Sequence, residues 1–184
     1  MLNNLKIGVR LGIGFAVTFA LLVTISFIGY TRISTLNDEI EAMAQDKFPK
    51  TVQANDIIDA INTIARRLRN AYIFSGTDSQ KEIDAIPEQR KVISDRLDKL
   101  EKSITSDKGK DMLKKVQSAR AAYVADQDKF LEFLKAGKRE ECVELMKGGL
   151  RASQGDYIKS VNALIDFQTE LMNKAGKDAE DAAE

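Results

Sequence analysis

Histidine and tryptophan are absent from this chain of 184 residues, cysteine occurs once and proline twice. Each shortage removes a class of chemistry. Without histidine the usual general base at neutral pH is missing, which argues against an enzyme. The lone Cys142 excludes an intramolecular disulfide framework and any cysteine-based metal cluster. Net charge is missing as well: 28 basic groups balance 28 acidic ones, so overall charge points to neither nucleic acid nor an acidic surface. Taking Lys6 and Arg10 away with the first 30 residues leaves 26 basic against 28 acidic groups, a net charge of −2 and an ordinary soluble surface. The sequence implies no catalysis, no cofactor and no metal. Asp126 and Asp128, and Glu140 with Glu141, lack the alternating ligands of a cation loop and read as solvated helix faces.

What is present begins with Leu11 to Tyr30, twenty residues without a charged side chain. At about 1.5 Å per residue such a helix crosses a hydrocarbon core about 30 Å thick. A cleaved signal peptide has a shorter apolar core and a small-residue cleavage site after it. Here the nearest small-x-small triplet, Thr24-Ile25-Ser26, lies inside the run. A buried core helix would need a large domain wrapped around it. The run therefore reads as a transmembrane helix. Lys6 and Arg10 precede it, whereas Arg32 is soon answered by Asp38, Glu39 and Glu41. The positive-inside rule then places residues 1–10 in the cytoplasm and residues 31–184 in the periplasm of a bacterial inner membrane. A single cysteine suits that oxidising exterior.

Beyond the anchor the hydrophobic period is helical. Ile33, Leu36, Ile40 and Met43 share one register with Ala54, Ile57, Ile61, Ile64, Leu68 and Ala71. The seam is interrupted only around Phe48-Pro49, where proline kinks or breaks a helix. Ile83, Ile86, Ile93, Leu97, Leu100 and Ile104 mark a second helix, with Arg90 filling a gap in its seam. Leu113, Val116, Tyr123, Phe130 and Leu134 mark a third. A fourth starts near Lys138 and uses Leu150, Tyr157, Val161, Leu164 and Leu171, with Gly148-Gly149 as a kink or short break. No segment alternates as a strand does. Connections of a few residues make neighbours antiparallel. The expected fold is all-α: an antiparallel up-down-up-down four-helix bundle preceded by one transmembrane helix. The fourth helix would return to the membrane at Asp178 to Glu184, and a second transmembrane helix with a cytoplasmic part is expected to follow.

Polar residues on a seam are the best guide to a binding site, because burying them without partners is costly. The third register passes through Arg120, Tyr123 and Gln127. A buried guanidinium needs a carboxylate, supplied either by another helix or by a ligand. On the first helix, at 100° per residue, Arg67 and Arg69 flank the seam at about 90° and 110°, facing helix–helix grooves. Tyr72 lies close to the seam, and Arg66 points away with Asp59 and Asn70. The candidate ligand residues are therefore Arg67, Arg69, Tyr72, Arg120, Tyr123 and Gln127. For the first-helix arginines a solvated or i,i+4-paired surface charge stays open as the alternative. The uncovered seam from Ile33 to Met43 asks for a second copy, a parallel homodimer.

One order of features is familiar: a short basic start, an apolar span, Lys47-Phe48-Pro49, an arginine-rich helix end and Gly76-Thr77-Asp78. Ala121-Ala122-Tyr123 and Gly137-Lys138-Arg139 follow. Over essentially its whole length the chain resembles the N-terminal sensor half of a bacterial methyl-accepting chemotaxis protein, with a four-helix-bundle ligand-binding domain. That resemblance implies a second membrane helix, a HAMP domain and a methylated cytoplasmic hairpin, acting on a chemotaxis kinase and coupling protein. It also implies a small-molecule ligand, an organic acid or amino acid, since similar members bind carboxylates with an Arg-x-x-Tyr that Arg120 and Tyr123 match. Related aspartate and serine receptors use first-helix arginines at a dimer interface. The same sensor module also sits on histidine kinases and cyclases. A membrane-tethered adaptor protein is the alternative from a different class.

Overall fold

The computed structural model describes residues 6–183. Seven α-helices follow one another: α1 Ile7–Ala42, α2 Phe48–Ile73, α3 Gly76–Asp84, α4 Ile86–Ser103, α5 Asp107–Lys135, α6 Arg139–Lys147 and α7 Gly149–Ala183. No strand occurs among the described residues. Two compact units emerge, one made of the residues up to Met43 with those from Asn173 onward, the other of Ala44–Met172.

In the first unit, α1 has no buried residue, and Phe15, Phe19 and Phe27 are among its exposed apolar side chains. Such a surface marks a site of contact with a membrane or another protein. Its hydroxyls fold inward: Thr18 donates to the Gly14 carbonyl at 3.0 Å and Thr24 to that of Ala20 at 2.9 Å. Self-satisfaction of this kind is what a helix in lipid requires. By length and composition α1 is able to cross a membrane.

Proline shapes the second unit at both of its occurrences. Ahead of Pro49 the helix does not break; it widens into a π-helical turn, Met43–Lys47, and continues as α2. The wide turn accommodates the ring and the missing N–H of Pro49, which follows it directly in α2. Pro87 divides the expected second helix. Helix α3 stops at Asp84, the Ala85 N–H bonds to the Ile83 carbonyl, and α4 restarts with Pro87 in its first turn. At the other end Gly148 separates α6 from α7, a short break rather than a kink.

The arms are antiparallel, as polar contacts between them show. Along α2, Asp56 pairs with Arg96 of α4 and Arg67 with Glu82 of α3. Along α5, Lys108 pairs with Glu170 of α7, whereas Tyr123 lies against Tyr157. Partner numbers fall as the helix numbers rise in both cases. One turn is glycine-dependent: Gly137 has φ 72°, and the Gly137 and Lys138 N–H groups close α5 onto the Leu134 and Phe133 carbonyls. That is the Schellman pattern, in which a left-handed residue ends the helix. Close approach explains another glycine, because a Cβ on Gly109 would fall 2.6 Å from the Ile104 side chain. One contiguous core results, including Ile57, Ile61, Leu68, Ile93, Leu113, Phe130, Leu150 and Leu164.

Candidate functional site

Steps of three and four along α5 bring Arg120, Tyr123 and Gln127 to one helix face, as the register predicts. Tyr123 and Gln127 are each 1 % exposed, and Arg120 is half-buried. Helix α4 supplies their partners. Arg90 donates through Nε to the Gln127 amide oxygen at 3.0 Å and through a terminal nitrogen to Asp128 at 2.7 Å. Arg120 donates to the Ser94 hydroxyl at 2.5 Å, and that hydroxyl donates to the Arg90 carbonyl at 3.1 Å. Arg120 has no carboxylate partner among the described residues, although Arg90 beside it has one.

Helix α7 adds Tyr157, also 1 % exposed, its ring centroid 6.2 Å from that of Tyr123 and tilted by 55°. Neither phenolic hydroxyl finds a partner among the described residues. Burial pushes both phenols up from the ordinary tyrosine range. Arg69 and Arg90 beside Tyr123, and Arg120 beside Tyr157, pull the other way without cancelling it. Both side chains are therefore neutral donors. An unsatisfied buried hydroxyl costs about 1–3 kcal/mol.

The remaining candidates lie in two other places. Arg67 is held by Glu82 at 3.0 Å, and Glu82 also accepts from Asn70 at 3.1 Å. So Asn70, expected on the outer face, is half-buried because α3 covers that side of α2. Tyr72 lies under the Arg139 guanidinium, 4.2 Å from its ring centroid, and its carbonyl accepts from Arg139 at 2.8 Å. Arg69 is exposed, with Nε on the Ala65 carbonyl, yet near enough for its charge to act on Tyr123. Arg66 is exposed, as its angle to the seam predicts. Arg120, Tyr123 and Gln127 thus share one face of α5, Arg67, Arg69 and Tyr72 are bonded elsewhere, and of these three only the charge of Arg69 reaches Tyr123. Sequence reasoning missed Arg90, Ser94 and Tyr157 as site residues. Arg90 carried a signal, a charge standing at an apolar seam position; Tyr157 passed as an ordinary core residue.

The raised phenols set an alkaline limit on stability. The native state keeps two phenolic protons that the unfolded chain releases above its tyrosine pKa of about 10, so the unfolded state binds fewer protons there. Their contribution is fully present below pH 10 and lost above it. The burial-raised thiol of Cys142 acts in the same direction from about pH 8.5. Urea midpoints should therefore fall steadily from about pH 9 to 11, and more gently with Phe at 123 and 157. Equal slopes for parent and double variant would refute the assignment.

Among known proteins, the family model described as a four-helix-bundle sensory module for signal transduction matches residues 4–183. No curated protein matches the chain. The match covers the apolar helix and the whole bundle, and the module is sensory rather than catalytic. Buried tyrosines, a cluster of guanidinium groups and an apolar lead helix thus stand within a sensor: the chain belongs to the family of four-helix-bundle sensory modules of methyl-accepting chemotaxis proteins.

Proposed function

We propose that this sensor binds a small carboxylate, an organic acid or an amino acid, on the outer side of a bacterial inner membrane and passes the event inward as a shift between helices. One observation carries the reading: Arg120 is half-buried in the bundle without a counter-ion, beside two buried phenols that have no acceptor. A carboxylate satisfies both, since it accepts a bidentate guanidinium and hydroxyl donors together. Arg69 and Arg90 add positive charge around Tyr123. Arg67, being engaged by Glu82, serves the fold. Isothermal calorimetry of the full chain against organic acids and amino acids, with Arg120→Ala beside it, tests the reading.

The output is of the chemoreceptor type, acting on a chemotaxis kinase and coupling protein, with the same module on a histidine kinase or cyclase as the second reading. The coding sequence downstream of Glu184 separates them: a HAMP segment and long Glu/Gln/Ala heptads mark a chemoreceptor.

Pairing as a parallel homodimer through α1 accounts for its uncovered seam. Ile33, Leu36 and Ile40 are 70, 37 and 52 % exposed. Apolar side chains leaving the membrane need a partner surface. Leu36→Cys or Ile40→Cys in membranes should crosslink between subunits under mild oxidation, with Cys142, which is buried, left uncoupled. Monomers alone would refute the pairing.

A further inference from the structure

The π-helical turn Met43–Lys47 is at odds with the apolar pattern on either side of it. Met43, Lys47, Lys50 and Ala54 are spaced four, three and four apart. A continuous α-helix would therefore carry the seam of Ile33, Leu36 and Ile40 straight into the core seam of α2. A π turn closes its hydrogen bonds from i to i+5 and holds one residue more than an α turn. At 3.6 residues per turn, one residue is a rotation of about 100°.

Exposure along α1 follows the rotated phase. Its half-buried positions are Gly29, Glu39 and Ala42, whereas Ile33 and Ile40 are 70 and 52 % exposed. Glu39 and Ala42 each stand one residue ahead of the seam positions Ile40 and Met43. A charged residue is thus half-covered while the apolar seam beside it lies open. On the α2 side the phase is fixed. Lys50 is 7 % exposed and paired with Asp46 at 2.7 Å, and Ala54 is fully buried.

Two opposed effects meet at this turn. The α form aligns one apolar seam from Ile33 to Ala71. Against it, Pro49 in a continuous α-helix would deny the Gln45 carbonyl its donor and press the ring against it. Each form gains where the other loses, as a two-state element requires. Wide turns inside α-helices recur at functional sites.

We propose that Met43–Lys47 is a two-state register element, π-helical in this structure and α-helical in its other form, that decides which face of α1 meets a second copy of the chain. The π form leaves the seam of Ile33, Leu36 and Ile40 open for that copy. In the α form the helix before the turn rotates by about 100°, and the face of Glu39 and Ala42 takes the seam's place. The pairing role rests on the homodimer reading; the rotation does not.

The test uses the full chain in lipid nanodiscs. Spin labels on Asp38→Cys and Asn55→Cys, both exposed positions, report a distance across the turn. Labelled subunits are diluted with unlabelled ones so that the distance lies within one subunit, and buried Cys142 stays unlabelled. Pro49→Ala removes the residue that opposes the α form, and deletion of Ala44 removes the additional residue outright. Both changes should move the distance by several ångströms to a common value. Both should also lower crosslinking through Leu36→Cys and Ile40→Cys severalfold. A Pro49→Ala variant that keeps the parent's distance overturns the two-state element. Shifted distances with undiminished crosslinking overturn its role in selecting the paired face. A parent that crosslinks at neither position overturns the homodimer reading and the pairing role with it, while the distances still decide the rotation.

Discussion

Replacing Arg120 by alanine is expected to weaken binding of a small carboxylate at least about tenfold while leaving the bundle folded. A charge-assisted hydrogen bond contributes about 1.5–3 kcal/mol, and each 1.4 kcal/mol is a factor of ten. The fold tolerates the change because Arg120 makes no ion pair among the described residues; its bond is to the Ser94 hydroxyl. Ser94 keeps its own bond to the Arg90 carbonyl, so it is not stranded. Arg66→Ala is the control, since that side chain is exposed on the outer face of α2. Calorimetry decides between two geometries. Loss of affinity with Arg120→Ala and not with Arg66→Ala places the ligand inside one bundle. The reverse result would move it to an interface between subunits and sink the intrasubunit site. Arg90→Ala is a poorer probe than Arg120→Ala, because it strips Gln127 and Asp128 of their partner as well as any ligand.

How far the sequence carried can be read on α5. Its period put Leu113, Val116, Arg120, Tyr123, Gln127, Phe130 and Leu134 on one face, and all of them except half-buried Arg120 and Leu134 are buried. Burial of that face follows from geometry alone, because a helix repeats every 3.6 residues and its apolar stripe must be covered. What faces a given residue is a different matter. The register of α4 contains Arg90, but nothing in it says that Arg90 meets Gln127, or that Ser94, one turn on, meets Arg120. Sliding one helix by a turn keeps both stripes covered and changes every such pair. The Tyr123–Tyr157 pairing was hidden for the same reason: each was legible as core, and their proximity was not.

Breaks in the helices were partly legible. Gly148-Gly149 and Pro49 were visible as weak points, and the structure shows which form each takes, a short break and a π-helical turn. Pro87 was as plain as Pro49, yet the apolar steps through Ile83 and Ile86 masked it. Those steps continue across the break because α3 and α4 present neighbouring faces to α2, so a pattern can persist where the hydrogen-bond ladder does not. The consequence reaches the site: α3 turns over the outer side of α2, and Glu82 on it captures Arg67 and Asn70. An arginine that reads as solvated or ligand-facing is ion-paired within the fold by a helix that sequence alone merged with its neighbour.

Phe130→Ala should be the most damaging single change in the bundle, lowering its stability by about 3–5 kcal/mol. Phe130 is fully buried on α5, in the contiguous core that includes Leu68, Ile86 and Leu150. Its carbonyl also accepts from the Cys142 thiol on α6 at 3.8 Å, so the same position anchors the short helix behind it. Removal of the ring takes away the apolar burial and leaves a cavity that stiff helices close only in part. Since domains of this size are stable by about 5–15 kcal/mol, the change consumes a large share of the total. Thermal melts followed by circular dichroism should shift down on the order of 10 °C. Phe48→Ala is the comparison, because Phe48 is exposed at the start of α2 and should cost little. Equal losses for Phe48→Ala and Phe130→Ala would mean that the core does not lie where α5 meets its neighbours, and the description of the site built on that helix would fall with it.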